Sequence, residues 1–407
     1  MMLQRCPKIS PETGIRTKPP EETLKDVLPL LGKAGLGEPE DITSWGDTGI
    51  PVYSVDRQDT AFGKAKFYNG KGVTHEQAKA SAVMESIERY CAERREEDEV
   101  VHGTYEQASD IMYTVNPVDL ILPLRVLDRY NDPEIAWVKG FEMFRGCPAW
   151  VPACAVFYPY EPDGDLQLFG WHTNGIASGN TMEEAILHGL FEVIERDAWS
   201  IAEFRGYCNS DVVIDDPGSV PAKLIERFNE QGIEIHLKDL TSDTGIPTIG
   251  AVADDVRTKD PEMLVIGVGT HLDPNIAAIR AITEVAQSRA THKHGAKINA
   301  QLQKVTQEMG YEAVKKANRM WFTDHQRSVK LSEMEDASTP YVLDDIEVVL
   351  GRLMECGFDS VVAVDLTRPE LGVPVVRMIV PGMEVSTMDP EREGGRLRGM
   401  WPPYRGE

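Results

Sequence analysis

A mixed α/β fold is predicted for this chain of 407 residues, on three observations. Short apolar runs of strand length recur between longer segments of helical period, some in β-α-β order and some as hairpins. Apolar residues make up 42% of the chain and charged residues 27%, the balance of a globular protein with a core to bury. No polar stretch is long enough to part independent domains. The expected division is an N-terminal segment (1–60) packed on a main domain (61–387), then a loosely ordered tail (388–407) rich in Arg, Gly, Pro and Glu.

Taken in order, Pro19-Pro20-Glu21-Glu22 opens a first helix reaching Leu31, with proline setting the entry and acids in the first turn. Strands are expected over 51–56 and 61–68, joined by a turn at Arg57-Gln58-Asp59. Asn69-Gly70-Lys71-Gly72 reads as a loop offering backbone N–H groups and a lysine. A helix follows over about 74–97, then strands over 135–144 and 150–157 around Arg145-Gly146-Cys147-Pro148. The small-residue loop 173–180 opens into a long helix over roughly 182–206. Farther on, helix 222–231 leads to strands 233–239, 247–253 and 263–268, and a loop precedes helix 276–290. After a Lys- and Gln-rich stretch to about 338 come helix 343–356 and strands 360–366 and 373–380.

A net charge of −24 speaks against a nucleic-acid partner, which needs a positive surface. The first eighteen residues lack the apolar core of a signal peptide, and no run reaches the length of a membrane span, so a cytoplasmic protein is expected. Six dispersed cysteines, with no C-x-x-C, give neither a disulfide framework nor zinc-ligand spacing.

The chemistry lies in a repeated signature. Glu85-Ser-Ile-Glu88-Arg89 and Glu192-Val-Ile-Glu195-Arg196 share the pattern E-x-x-E-R, and Glu284-Val-Ala-Gln287-Ser-Arg289 echoes it. Residues three apart leave one helix face together, so each pair presents two carboxylates. One such motif is ordinarily a solvated face. Here apolar flanks (Ala80, Ala82, Ile87; Ile186, Leu190, Phe191, Ile194) point to burial, and buried carboxylates need partners or a cation. Mg²⁺ held by carboxylates usually comes with phosphates.

Around these motifs stand further candidates. Glu184, two turns before Glu192, extends the carboxylate row. Asn180 reads either as the helix N-cap, reciprocated by Glu183, or as a ligand. Lys71 in its glycine-flanked loop fits a phosphate contact, although no Walker spacing is present. Arg377 inside the apolar run Val375-Val-Arg-Met-Ile379 needs a carboxylate or a phosphate. His172 and His271 stand alone beside loops and read as ordinary hydrogen-bonded residues.

These segments together resemble the YcaO family of ATP-using enzymes that activate backbone amides. The resemblance rests on Asn69-Gly-Lys-Gly72, Ser81-x-x-x-Glu85-x-x-Glu88-Arg89 and Gly175-Ile-Ala-Ser-Gly-Asn180 with Glu184, Glu192, Glu195 and Arg196. Glu284-x-x-Gln287-Ser-Arg289 and Pro374-Val-Val-Arg377 through Pro381-Gly-Met-Glu384 add to it, and it spans roughly 20–385. It implies a YcaO-type fold with a non-Walker ATP site, in which Glu85, Glu88, Glu184, Glu192 and Glu195 hold Mg²⁺ with help from Asn180. Ser81, Arg196 and Arg377 would contact the nucleotide, with Lys71, Glu284 and Gln287 beside it, and Lys18 and Thr23 fall where the family places nucleotide contacts.

The chemistry implied is attack of a nucleophile on a backbone amide, phosphorylation of its oxygen by ATP, and loss of phosphate. A substrate Cys, Ser or Thr would give an azoline ring; external sulfide would give a thioamide. Azoline-forming members typically end in alternating prolines, whereas this chain ends Trp401-Pro-Pro-Tyr-Arg-Gly-Glu407. The opening Ile9-Ser-Pro-Glu-Thr-Gly-Ile15 resembles the methanogen branch, linked to thioglycine formation in the methyl-coenzyme M reductase large subunit. That branch implies ATP and Mg²⁺ as cofactors, the reductase as protein substrate, a TfuA-type partner, sulfide or a sulfur-donor protein, and a homodimer. The competing readings are an azoline-forming cyclodehydratase and a non-catalytic ATP-binding scaffold.

Overall fold

The computed structural model describes residues 2–10, 14–58, 66–162, 164, 166–295 and 300–400. The expected strand start at 61–65, the turn residue Asp59 and the chain end 401–407 lie outside the described residues.

Helix α1 (Pro20–Val27) starts on Pro20, which gives up no needed N–H there, and buries Thr23, Leu24 and Val27. Strands β1 (Glu40–Asp41), β2 (Val52–Arg57) and β3 (Lys66–Lys71) form an antiparallel sheet. Asn69-Gly70-Lys71, expected as a loop, is instead the end of β3, with Gly70 opposite Tyr53 and Lys71 opposite Val52. Gly70 is there for close approach: a Cβ would lie 1.9 Å from the backbone nitrogen of Ala82 on α2 (His75–Cys91).

A reciprocal capping box between Thr74 and Gln77 starts α2. The helix ends at Cys91 rather than near residue 97, because Arg368 takes the carbonyls of Cys91 (3.2 Å) and Glu93 that a further turn would need. Strands β4 (Val100–Gly103), β5 (Tyr113–Thr114), β6 (Ile135–Glu142), β7 (Cys147–Pro152) and β8 (Ile176–Ser178) follow. β7 stops at Pro152 in a 3₁₀ turn, short of the expected 157.

The long helix α3 (Met182–Arg205) is buried along most of its length and closes on Gly206 at φ 72°. Its cap is Thr181, which accepts from Glu184 N at 3.2 Å, not Asn180 as the composition allowed. Next come β9 (Ser210–Val213), α4 (Val220–Asn229), β10 (Glu234–Asp239), β11 (Thr248–Asp254), β12 (Ile266–Thr270), α5 (Pro274–His294) and β13 (Ser328–Lys330). These strands make a five-stranded sheet ordered β12-β11-β10-β9-β13, antiparallel except where β13 runs beside β9. Gly267 and Gly269 of β12 let α5 lie close on it; a Cβ on Gly267 would stand 2.4 Å from the Ala281 carbonyl oxygen.

Helix α6 (Val342–Glu355) leads to β14 (Val362–Asp365) and β15 (Val375–Ile379), which return to the third sheet. Its order is β5-β7-β6-β14-β15-β8, with β4 also on β6. One core joins α2 to this sheet through Val83, Ile87, Trp137 and Val364. A second packs α3 against α6 and β15 through Leu190, Ile194, Val349 and Met378. Mixed α/β is thus the observed class, though the strand pairs are mostly antiparallel.

Residues 388–400, read as loose from their composition, are packed down. Glu384 accepts from the backbone N–H groups of Gly394 (2.8 Å), Arg396 (3.0 Å) and Leu397 (3.1 Å). Arg392 and Arg396 are both buried. Among the described residues, no helix is long and apolar enough to cross a membrane.

Candidate active site

The E-x-x-E-R helices are α2 and α3, and α5 carries the echo. Their charged faces form two groups that join where Arg196 faces both Glu195 and Glu192. In the first, Glu85 and Glu88 of α2 and Glu192 of α3 act on one another, with Arg89 as the shared countercharge. In the second, Glu195 of α3 neighbours Glu284 of α5, with Arg196, Arg280 and Lys71 supplying positive charge.

Four carboxylates do not converge on one point. Among the described residues, the grouping of three with ligand atoms within 4.8 Å of one another is Glu234, His236 and Asp254, on β10 and β11. There Asp254 already accepts from Tyr311 and Lys315.

Burial sets the protonation of the helix carboxylates. Glu88 is pushed up to about 7, chiefly by burial and then by Glu85 and Glu192, against the pull of Arg89. Its oxygen Oε1 accepts from Ser178 N (2.9 Å) and Ser178 Oγ (2.8 Å) on β8. Glu195 is also pushed up to about 7 by burial, and its Oε2 has no partner among the described residues. For Glu284, burial acts upward but Lys71 and Arg196 outweigh it, so it stays below the usual range. Glu192 accepts from Gly175 N at 3.3 Å, and Glu85 pairs with Arg89 at 3.3 Å.

The remaining candidates are placed as follows. Lys71 forms an ion pair with Glu284, and Gln287 Nε2 donates to the Asn69 carbonyl at 2.8 Å, so both tie α5 to β3. Arg196 lies 3.6 Å from Glu195 and over the Trp199 ring, with its Nε unpartnered among the described residues. Ser81 stands half-buried one turn before Glu85. Glu184 belongs to a separate network near the N-terminus: it accepts from Asn180 N (3.0 Å), Asn180 Nδ2 (2.9 Å) and Thr17, with Arg16 at 3.7 Å. Thr23 donates to Asn180 Oδ1 at 2.8 Å, which fastens α1 to the same network. Lys18 points away, to Asp26 at 2.7 Å.

Arg377 is buried on β15 and held by His172; burial lowers its guanidinium to about 9. His271 is structural. Its Nδ1 accepts from Asp273 N at 2.9 Å, and burial, then Lys8 and Arg280, keeps it neutral down to about 3.

Four residues escaped the sequence reading. Arg16 and Thr17 reach Glu184 across more than 160 positions, which no local pattern signals. Arg280 and His188 sit four residues before Glu284 and Glu192, a helical spacing that could have marked them. Burial, then Arg280, Arg16 and Lys71, hold His188 well below its ordinary range. A cavity of about 270 Å³ opens beside Arg89, lined by Tyr68, Glu93, Tyr158 and Pro159 among others.

Comparison with known proteins bears on this geometry. The family described as YcaO cyclodehydratase, ATP- and Mg²⁺-binding, matches residues 69–384. An uncharacterized protein of Methanothermobacter thermautotrophicus is 46% identical over 383 residues, covering 93% of this chain and 97% of that one. An uncharacterized protein in the tfuA 3′ region of Rhizobium leguminosarum bv. trifolii is 29% identical, over 91% of this chain and 89% of that one. The solved YcaO structure from Methanopyrus kandleri, bound with AMPPCP and Mg²⁺, superposes with a TM-score of 0.80 at 31% identity, covering 96% and 98% of the two chains.

The residues present fit both cofactors. Glu195 Oε2 is a buried, unpartnered oxygen, and Glu88 and Glu195 are carboxyls that a divalent cation would deprotonate. Arg89 Nη1 and Arg196 Nε are buried donors without acceptors among the described residues, the chemistry that phosphate oxygens satisfy. ATP and Mg²⁺ are the cofactors of this fold.

Proposed function

Because the chain belongs to the YcaO family, we propose that it activates a peptide backbone amide with Mg²⁺-ATP and delivers sulfide to it. The product is a thioamide, thioglycine, in the methyl-coenzyme M reductase large subunit. The observation that carries the ATP-dependent part is the split carboxylate cluster of α2, α3 and α5, with its unpartnered Glu195 oxygen and donor-bearing Arg89 and Arg196. Likeness to a Methanothermobacter protein is in keeping with the methanogen branch, and likeness to one from a tfuA region with a TfuA-type partner.

In this reading, Glu85, Glu88, Glu192 and Glu195 hold Mg²⁺, and Glu184 with Asn180 extends the set. Arg196 would meet phosphate oxygens, whereas Arg377, held by His172, stays out of contact with them, and Ser81, Lys71, Glu284, Gln287, Lys18 and Thr23 would border the nucleotide. Phosphorylation turns the amide oxygen from a poor leaving group into a good one, and the cation neutralises charge on the transferred phosphoryl group. The chain's own residues act by position and field, so no protein nucleophile is required. The cavity beside Arg89 suits a peptide segment next to that cluster. A cytoplasmic enzyme acting with sulfide or a sulfur-donor protein, as a homodimer, completes the proposal.

Mass spectrometry tests it on protein, Mg²⁺-ATP, sulfide and a reductase peptide, with and without the TfuA-type partner. Replacement of oxygen by sulfur is the expected result. Loss of water would instead establish azoline formation, the reading that the family description favours. No ATP turnover under any condition would leave only an ATP-binding scaffold.

A further inference from the structure

His172 lies between two buried arginines. Arg377 Nη1 donates to the His172 carbonyl at 2.9 Å, and its Nη2 stands 3.2 Å from Nδ1. Arg392 Nη1 stands 2.9 Å from Nε2 of the same ring, while its Nε and Nη2 donate to the carbonyls of Ile121 and Leu120. Arg377 is 3% exposed and Arg392 is 4% exposed, and neither forms an ion pair with a carboxylate among the described residues.

The donors outnumber the acceptors. Burial and the two guanidiniums keep His172 neutral, and a neutral imidazole accepts at one nitrogen only. One of the two guanidinium contacts to the ring therefore lacks an acceptor. Among the described residues, Arg377 Nε is also buried without a partner, while Asn174 Oδ1 is a buried acceptor without a donor. Two desolvated cations with spare N–H groups call for an anion.

These four residues line a cavity of about 40 Å³, closed elsewhere by apolar groups such as Phe169 and Val193. At roughly 10–15 Å³ of such space per water, it takes an ion of one or a few atoms and no nucleotide. It adjoins the carboxylate cluster: Gly175, next to Asn174, donates to Glu192, and Val193 follows Glu192 on α3.

We propose that this cavity is a small-anion site and that its ligand in the reaction is hydrosulfide. The hydrosulfide assignment rests on the thioamidation reading above; the anion site does not. Hydrosulfide accepts from both guanidiniums and has one hydrogen to turn toward Asn174 Oδ1, which a halide lacks. From there its sulfur bonds to the amide carbon, and the C=O π pair moves to oxygen. That oxygen takes the phosphoryl group from ATP and releases ADP. The C–O bond then breaks with phosphate, which takes up the S–H proton, and the C=S bond is complete.

Two measurements test the proposal. Wild-type crystals soaked in sodium bromide should give an anomalous peak between Arg392 and His172; bromide confined to the surface overturns the site. In kinetics, Arg392→Met should raise the KM for sulfide at least tenfold with the KM for ATP unchanged, and Arg392→Lys should recover part of the loss. An unchanged sulfide KM overturns the hydrosulfide assignment. Wild-type protein that turns over ATP but forms no thioamide removes the thioamidation reading, while the bromide peak still decides the anion site.

Discussion

Glu88 on α2 and Ser178 on β8, ninety residues apart, are joined twice: Glu88 Oε1 accepts from the serine N–H at 2.9 Å and from its hydroxyl at 2.8 Å. The carboxylate is buried, so these bonds fix where one arm of the cluster points. Ser178→Ala removes the hydroxyl and keeps the backbone donor. The expected cost is about 1.5–3 kcal/mol in urea unfolding above pH 7, where the Glu88 carboxyl is ionised, the range for a hydrogen bond to a charged group. Mg²⁺ affinity should weaken alongside, by roughly 10–100-fold, as for a group that orients a metal ligand. Isothermal titration with Mg²⁺ and a non-hydrolysable ATP analogue reads it; an unchanged affinity would detach Glu88 from the metal.

A pH dependence follows from burial. Glu88 and Glu195 rise from 4.5 to about 7 on folding, so between these values the folded chain holds protons that the unfolded chain has released. The unfolded state binds fewer protons there, so these two groups make stability fall as pH rises from about 4.5 to 7 and level off above. Mg²⁺ competes with the same protons, so its affinity should climb with pH up to about 7, at most tenfold per unit for each proton displaced. Thermal melts at pH 5.5 and 7.5, with chelator or with Mg²⁺, check this. Equal Mg²⁺-induced shifts at both values would contradict the assignment.

Glu192 separates a metal role from a structural one. Its carboxylate makes one long bond, to Gly175 N at 3.3 Å, and adds to the repulsion on Glu88. Glu192 is also a countercharge for buried Arg89, Arg196 and Arg377, so Glu192→Ala should lower the stability of the metal-free protein in chemical denaturation while leaving it folded. ATP turnover should drop by more than the roughly 10–100-fold expected when only a supporting group is lost. Near-parental turnover would remove Glu192 from the ligand set.

The motif-bearing helices were legible because a 3.6-residue period and an E-x-x-E repeat are local signals. What the sequence concealed depends on long-range pairing. Asn69-Gly70-Lys71 has the composition of a loop, yet it is strand because Gly70 admits α2. Asn180 and Thr181 are both capping residues, and only the observed bond from Glu184 N separates them. Arg16 and Thr17 reach Glu184, whereas Lys18, beside them, turns to Asp26. The carboxylate positions were legible from spacing, but which cation each one faces was not, since that depends on where Arg89, Arg196 and Lys71 fall.

The segment after residue 387 gives the largest expected loss of stability. Arg396 grips Asp197 of α3 with two bonds, Nε to Oδ1 at 2.8 Å and Nη2 to Oδ2 at 2.9 Å, and both side chains are almost fully buried. Asp197 Oδ1 also accepts from Glu384 N, so one carboxylate ties α3 to the end of the chain. Arg396→Met leaves that carboxylate buried without its countercharge, a loss of about 3–5 kcal/mol. Asp197→Asn in the same background should return part of it by removing the stranded charge. Chemical denaturation of the two single variants and the double variant measures the coupling. Additive losses would mean that Arg396 and Asp197 do not act as a pair.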